Sequence, residues 1–172
     1  MICPVPEVRR LVVAANAVRR QRDSSGSAMG LHGRCAERQL DAPLFRTSHT
    51  LAVYGTLAPG QLNHHVVAPL GGEWTDGLIE GDLLPEGWGT ALGYPGFRPR
   101  VGGAAVAVQV LTAPLLATAW PALDSFEGPE YERILVPVFS TEISPGQAGE
   151  WRLNTVANLY AAAEASFGAA EF

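Results

Sequence analysis

Short apolar blocks separated by glycine and proline dominate the chain from about residue 50 onward. "TLAVYGT" (50–56) predicts a first strand that runs into a glycine loop, "GTLAPGQ", with a short helical stretch ending near Pro69. "EWTDGLIEGDLLPEG" alternates polar and apolar positions around interior glycines, the pattern of a bent or bulged strand. "GWGTALGYPGFRPRVGG" is turn-rich and reads as irregular, whereas "AAVAVQVLTA" is the clearest buried strand. Pro121 suits the first turn of a short helix, with Leu123, Phe126 and Glu127 on neighbouring faces. "YERILVPVFS" is extended, and Pro137 pushes it toward a sheet edge or a bulge. In "TVANLYAAAEASFGAAEF" the alanines favour helix, while "TVANLY" could be a closing strand before a frayed tail. Strands outnumber helices without regular alternation, which predicts an α+β fold with a small curled or barrel-like sheet.

Residues 1–46 read differently. Eight arginines against four acids give this segment a charge of +4, while residues 47–172 hold four arginines against thirteen acids, or −9, which sums to the chain's −5. Paired arginines, a Ser/Gly patch and a brief apolar stretch from Leu11 to Val18 describe a disordered or weakly helical extension. An arm touching nucleic acid and a targeting segment are competing readings, although arginines hem the apolar run on both sides and no clean cleavage site follows it. Met29 lies where an alternative start would leave the compact part intact. The expected division is an N-terminal extension over 1–46, one domain over 47–165 and a tail over 166–172.

Composition narrows the chemistry. All twelve basic residues are arginine, so a P-loop, Schiff-base or pyridoxal-phosphate lysine is excluded. Cys3 and Cys35 both lie near the start, leaving the domain without a thiol nucleophile or disulfide. Only His49, His64 and His65 fall beyond residue 46, and the adjacent pair cannot form the i, i+4 face of a zinc helix. We therefore expect no metal and no cofactor. No apolar run approaches the ~18 residues of a membrane span, and an acidic domain without lysine does not suit nucleic acid. A soluble, cytoplasmic protein with a small-molecule partner is the expectation.

Sequence signatures such as G-x-S-x-G, H-E-x-x-H, C-x-x-C and a post-strand G-x-G-x-x-G are missing. Two features remain. The loop after the first strand can aim the N–H groups of Gly55, Thr56 and Leu57 into one concavity, suited to a carboxylate or a developing oxyanion, or can be an ordinary turn. Glu127 sits at a helix-to-strand corner, either as a solvated acid or as a base held over a pocket; Asp124 and Glu130 read as more ordinary cap or turn acids.

In this order, "VYGTLAPG" and "LDSFEGPEYERILVPV" resemble the gamma-glutamylcyclotransferase family, which includes the gamma-glutamylamine cyclotransferases. The resemblance spans roughly residues 50–162 and takes in "NHH", "GWGTALGYPG" and "ANLY". It implies a compact barrel-like α+β fold and release of 5-oxoproline from a gamma-glutamyl amide. It further implies that Tyr54, Gly55, Thr56 and Leu57 hold the glutamyl group, that Glu127 is the general acid/base, and that Tyr131 and Tyr160 are aromatic positions near the pocket. Arg133 is expected to be a structural strand residue. A non-catalytic binding or interaction domain on the same fold is the alternative.

Overall fold

In the computed structural model, residues 4–25, 31–42, 45–84, 96–140 and 151–163 are described. Six strands form one sheet: β1 (Thr50–Val53), β2 (Glu73–Leu84), β3 (Gly96–Pro99), β4 (Ala104–Thr112), β5 (Tyr131–Phe139) and β6 (Leu153–Ala162). Their order is β3-β2-β4-β1-β6-β5, and β2 also pairs with β5, so five strands close into a barrel with β3 appended. Closure removes the free edges that a small open sheet would present.

The period-2 pattern explains what fills this barrel. Val106, Val108 and Val110 of β4 point inward with Ile134, Val136 and Val138 of β5 and Ala157, Leu159 and Ala161 of β6. The intervening positions of β1, β4 and β6 (Leu51, Val53, Leu111, Tyr160) face outward and are covered by helix α3 (Leu116–Glu127) through Leu116, Trp120 and Leu123. Because β6 is buried on both faces from Val156 to Ala162, its sequence shows no alternation. That is why "TVANLY" was ambiguous between strand and helix, and the strand is what forms.

Three expectations are refined. β2 stays in continuous register with β4 from Glu73↔Thr112 to Gly81↔Ala104, and the sheet's irregularity lies instead between Val138 and Phe139, beside Pro137. The β2 glycines serve close approach: a Cβ on Gly77 would collide with Cγ1 of Val138 where β5 crosses. The turn-rich stretch contains a short strand, β3, although residues 85–95 of it lie outside the described residues. Helix α3 begins five residues before Pro121, which therefore sits in its second turn and leaves the Ala117 carbonyl without its intrahelical donor.

The reading of residues 1–46 as a disordered or weakly helical arm is corrected. Helices α1 (Val5–Ser25) and α2 (Leu31–Asp41) pack on the barrel. Val8, Val12 and Ala15 form a helical stripe that joins Ala36, Leu40, Phe45, Leu135 and Val156 in a third core. Two arginines beside that stripe bridge to the acidic body: Arg9 Nη2 lies 2.6 Å from Glu80 Oε2, and Arg20 Nε lies 3.2 Å from Glu132 Oε1. Arg19 reaches further, with Nε 2.8 Å from Glu37 and Nη1 2.7 Å from Oδ1 of the buried Asn158. The opposite charges of the two segments thus meet within the fold.

Asn16 provides the tightest link. Its Nδ2 donates to the Leu135 carbonyl and its Oδ1 accepts from the Leu135 N–H, each at 2.8 Å, so one side-chain amide stands in for a neighbouring strand along β5. This matters because β2 and β5 are joined only by Leu78↔Phe139 among the described pairings. Asn16→Ala should lose about 1–3 kcal/mol, since two backbone groups of a buried residue lose their partners. Urea unfolding of the full chain measures it; an unchanged midpoint would mean that α1 is not docked in solution.

Candidate active site

The site is built where β1 ends and α3 ends. After Val53 the chain turns through Tyr54–Gly60, and the loop is braced from behind. The Gly55 carbonyl accepts from Ala58 N at 3.1 Å and the Thr56 carbonyl from Asn63 N at 2.9 Å. Asn63 Nδ2 also donates to Thr56 Oγ1 at 2.9 Å, and His64 Nδ1 lies 3.0 Å from the Leu57 carbonyl. Asn63 and His64 therefore hold the loop, while His65 is exposed. With those carbonyls occupied, the N–H groups of Gly55, Thr56 and Leu57 have no acceptor among the described residues. Leu57 is buried and anchors the loop in the outer core.

A Cβ on Gly55 would meet no atom within 4 Å. The space beside it is open.

Glu127 is the last residue of α3. Gly128 follows at φ 75° and ψ −175°, a conformation open in practice only to glycine. The Gly128 N–H closes the helix by donating to the Asp124 carbonyl at 3.1 Å. The pair "EG" thus has a backbone reason: the glycine turns the chain sharply toward β5 and fixes the acid before it. Gly128→Ala should cost about 1–3 kcal/mol through backbone strain alone, as no atom crowds the added methyl. Thermal unfolding reads this directly; an unaltered Tm would show that the turn relaxes without strain.

Burial pushes the Glu127 carboxyl up from 4.5 to about 7. Three phenols share its surroundings. Tyr54 is raised by burial first, then by the charges of Tyr131 and Glu127, with the Phe97 N–H acting against them. Tyr131 is raised by burial and by Glu127 and Glu130. Tyr160 is raised by burial, by its hydrogen bond to Asp124 and that group's charge, and more weakly by Glu127, while Arg133 opposes. One carboxyl therefore acts on all three tyrosines that the sequence named, and all three remain neutral phenols near neutral pH.

The tyrosine hydroxyls are positioned by specific partners. Tyr54 donates to the Tyr160 carbonyl at 3.0 Å, tying the first loop to β6. Tyr160 donates to Asp124 Oδ1 at 2.7 Å. Asp124 in turn accepts from Arg133 Nε at 2.7 Å and Nη2 at 3.1 Å, and the guanidinium lies 4.6 Å from the centre of the Trp120 ring. Arg133 is structural, as its strand position suggested. Asp124, which the sequence offered only as a cap or turn acid, is a network member; its i, i+3 spacing from Glu127 on one helix was the available signal.

Among the described residues no group of His, Cys, Asp and Glu side chains is placed to hold a metal ion, and no helix is long and apolar enough to cross a membrane.

Comparison with known proteins is consistent with this architecture. The crystal structure of an AIG2-like protein from Mus musculus matches with a TM-score of 0.50 at 24% identity, covering 67% of this chain and 77% of that one. A uropathogenic E. coli-specific protein matches at 0.46 and 19% identity, over 69% and 81% of the two chains. An uncharacterized protein from Pyrococcus horikoshii matches at 0.45 and 18%, over 66% and 76%. No curated protein sequence matches the chain. The family model for gamma-glutamyl cyclotransferase, AIG2-like, matches residues 51–166, which span both the Tyr54–Leu57 loop and Glu127. The chain belongs to the AIG2-like gamma-glutamyl cyclotransferase family.

Proposed function

We propose that this protein releases 5-oxoproline from a gamma-glutamyl amino acid or amine, with Glu127 as general acid and base. What carries the reading is the placement of Glu127: burial raises its carboxyl to about 7, it is near enough to Tyr54 to act on it by charge, and the N–H groups of Gly55, Thr56 and Leu57 have no acceptor among the described residues. The α-ammonium of a gamma-glutamyl group sits beside a free carboxylate and is less acidic than a peptide N-terminus at about 7.7–8.0, so raising the Glu127 carboxyl to about 7 narrows the gap its proton must cross. A carboxylate at its ordinary value would be a base too weak by several units.

The steps balance as follows. Glu127 takes a proton from the α-ammonium, and the freed amine attacks the γ-carbonyl carbon to form a five-membered ring. The carbonyl oxygen becomes an oxyanion, which the Gly55, Thr56 and Leu57 N–H groups can stabilise; one such donor contributes roughly 10²- to 10³-fold. The ring nitrogen then gives up its second proton, the amide C–N bond breaks, and the amine departs carrying both protons as its ammonium. A single carboxyl poised near neutrality can pass these protons one at a time. Ring closure is intramolecular, so binding the glutamyl chain folded recovers part of the ~7–11 kcal/mol available from orientation.

The test is 5-oxoproline release from a panel of gamma-glutamyl amino acids and amines. Turnover of any member supports the reaction class and begins to name the leaving amine. Tight binding of panel members without turnover would favour a non-catalytic binding domain instead.

A further inference from the structure

We infer that the groove between α1 and the barrel seam is a second binding site, for a small carboxylate with an apolar body. The seam is where the barrel wall is weakest. β2 and β5 meet only at Leu78↔Phe139 among the described pairings, and Pro137, two residues on from Leu135, brings no N–H to that edge. Helix α1 covers the gap without filling it. A cavity of about 280 Å³ remains between Val12 and Ala17 of α1, Leu135 and Pro137 of β5, and Val101 in the turn that follows β3. Neither Glu127 nor any residue of the Tyr54–Leu57 loop lines it.

The lining sets the ligand's chemistry. Val13 and Val101 are 68% and 69% exposed, an apolar margin that a ligand would take out of water. The charged groups are unequal, with Arg9, Arg20 and Arg100 facing the cavity against Glu80 alone; Glu132 and Asp82, which pair with two of these arginines, do not line it. Arg100 commits Nε and Nη2 to Asp82, both at 2.7 Å, and Arg9 commits Nη2 to Glu80 at 2.6 Å. A guanidinium has five N–H donors, so both have donors left over. Arg9 is short of acceptors where it is most desolvated, since its buried Nε has none among the described residues. A carboxylate supplies charged oxygens that match the planar fork. An ammonium would meet the same arginines as a repulsion, and a neutral chain would leave their donors unused. The net charge of −5 disfavours anions elsewhere on the chain, but α1 carries five arginines against two acids.

Size follows from the volume. An apolar cavity of about 150 Å³ holds benzene, so this one suits about ten or eleven non-hydrogen atoms, the size of octanoate.

Octanoate, octanol and octylamine share one chain and differ in head group, and each is titrated calorimetrically near pH 7.5 into the full chain. Octanoate should bind with a Kd of about 0.1–1 mM and about tenfold or more tightly than octylamine. Arg100→Gln, at a side chain 55% exposed, should weaken octanoate about three- to tenfold and narrow its lead over octanol. Ala17→Phe sets a ring in the groove from an exposed helix position and should abolish binding. Both variants should unfold within a few degrees of the parent, as substitutions at exposed positions do. Glu127→Gln should bind octanoate as the parent does.

No octanoate binding up to about 5 mM, equal affinity for the three head groups, or binding that survives both groove variants would overturn the inference. Loss of binding in Glu127→Gln would do the same, by moving the ligand to the active site. A concentration-dependent dimer in light scattering that Ala17→Phe breaks would also overturn it, since the groove would then seat a second copy of the chain.

Discussion

Glu127→Gln is expected to lower turnover of a gamma-glutamyl substrate about 10²- to 10⁴-fold, or roughly 3–5 kcal/mol of barrier. Glutamine keeps the size and most of the packing at the end of α3 but cannot take the α-ammonium proton. The loss should fall mainly on kcat, since the loop amides proposed to hold the glutamyl group are untouched. Parent activity should fall about tenfold per unit as pH drops below about 7, because protonation removes the base. The variant's residual rate should lack that limb. Near-parental turnover by Glu127→Gln in a 5-oxoproline assay would remove this residue from the mechanism.

The same substitution should stabilise the fold above neutral pH. Glu127 binds its proton more tightly folded than unfolded, the reverse of a salt-bridged carboxylate. Between 4.5 and about 7 the native state holds more protons than the unfolded state, so stability falls as pH rises through that window. Below 4.5 both states are protonated and the penalty is absent; above 7 it is complete. A shift from 4.5 to about 7 corresponds to roughly 3 kcal/mol at about 1.4 kcal/mol per unit. Glutamine carries no charge to desolvate, so parent and variant should unfold alike near pH 4 and diverge above pH 7, with the variant Tm higher by about 6–12 °C. Parallel curves across pH 4–8 would mean that the carboxyl is solvated in the native state.

Legibility in the sequence followed how locally each feature is encoded. β4 was readable because its inward face shows as alternation, β1 because a short apolar run leads straight into a glycine loop, and Glu127–Gly128 because an acid before an obligate glycine marks a fixed corner. α1 and α2 were misread because their arginines were taken as solvated. Val8, Val12, Ala15 and Val18 are spaced as one helical stripe, and each is at most 7% exposed, a signal that the surrounding charge obscured. Three groups that accept hydrogen bonds from those arginines, Glu80, Glu132 and Asn158, lie more than seventy residues away, where no local pattern can announce them. Asp124 was undervalued for the same reason: its role depends on Tyr160, thirty-six residues on.

The bond between Asn16 and Leu135 spans 119 positions, and that between Arg19 and Asn158 spans 139. During synthesis α1 is made well before β5 and β6, the strands it docks against. Until β5 and β6 emerge, the stripe of Val8, Val12 and Ala15 has no barrel surface to cover, and its arginines keep the nascent segment charged. Loop closure over so long a span adds only about 0.6 kcal/mol for each doubling of length, so the delay affects timing far more than final stability. The helix that fastens the seam between β2 and β5 is made before both strands and can engage β5 only once that strand is complete.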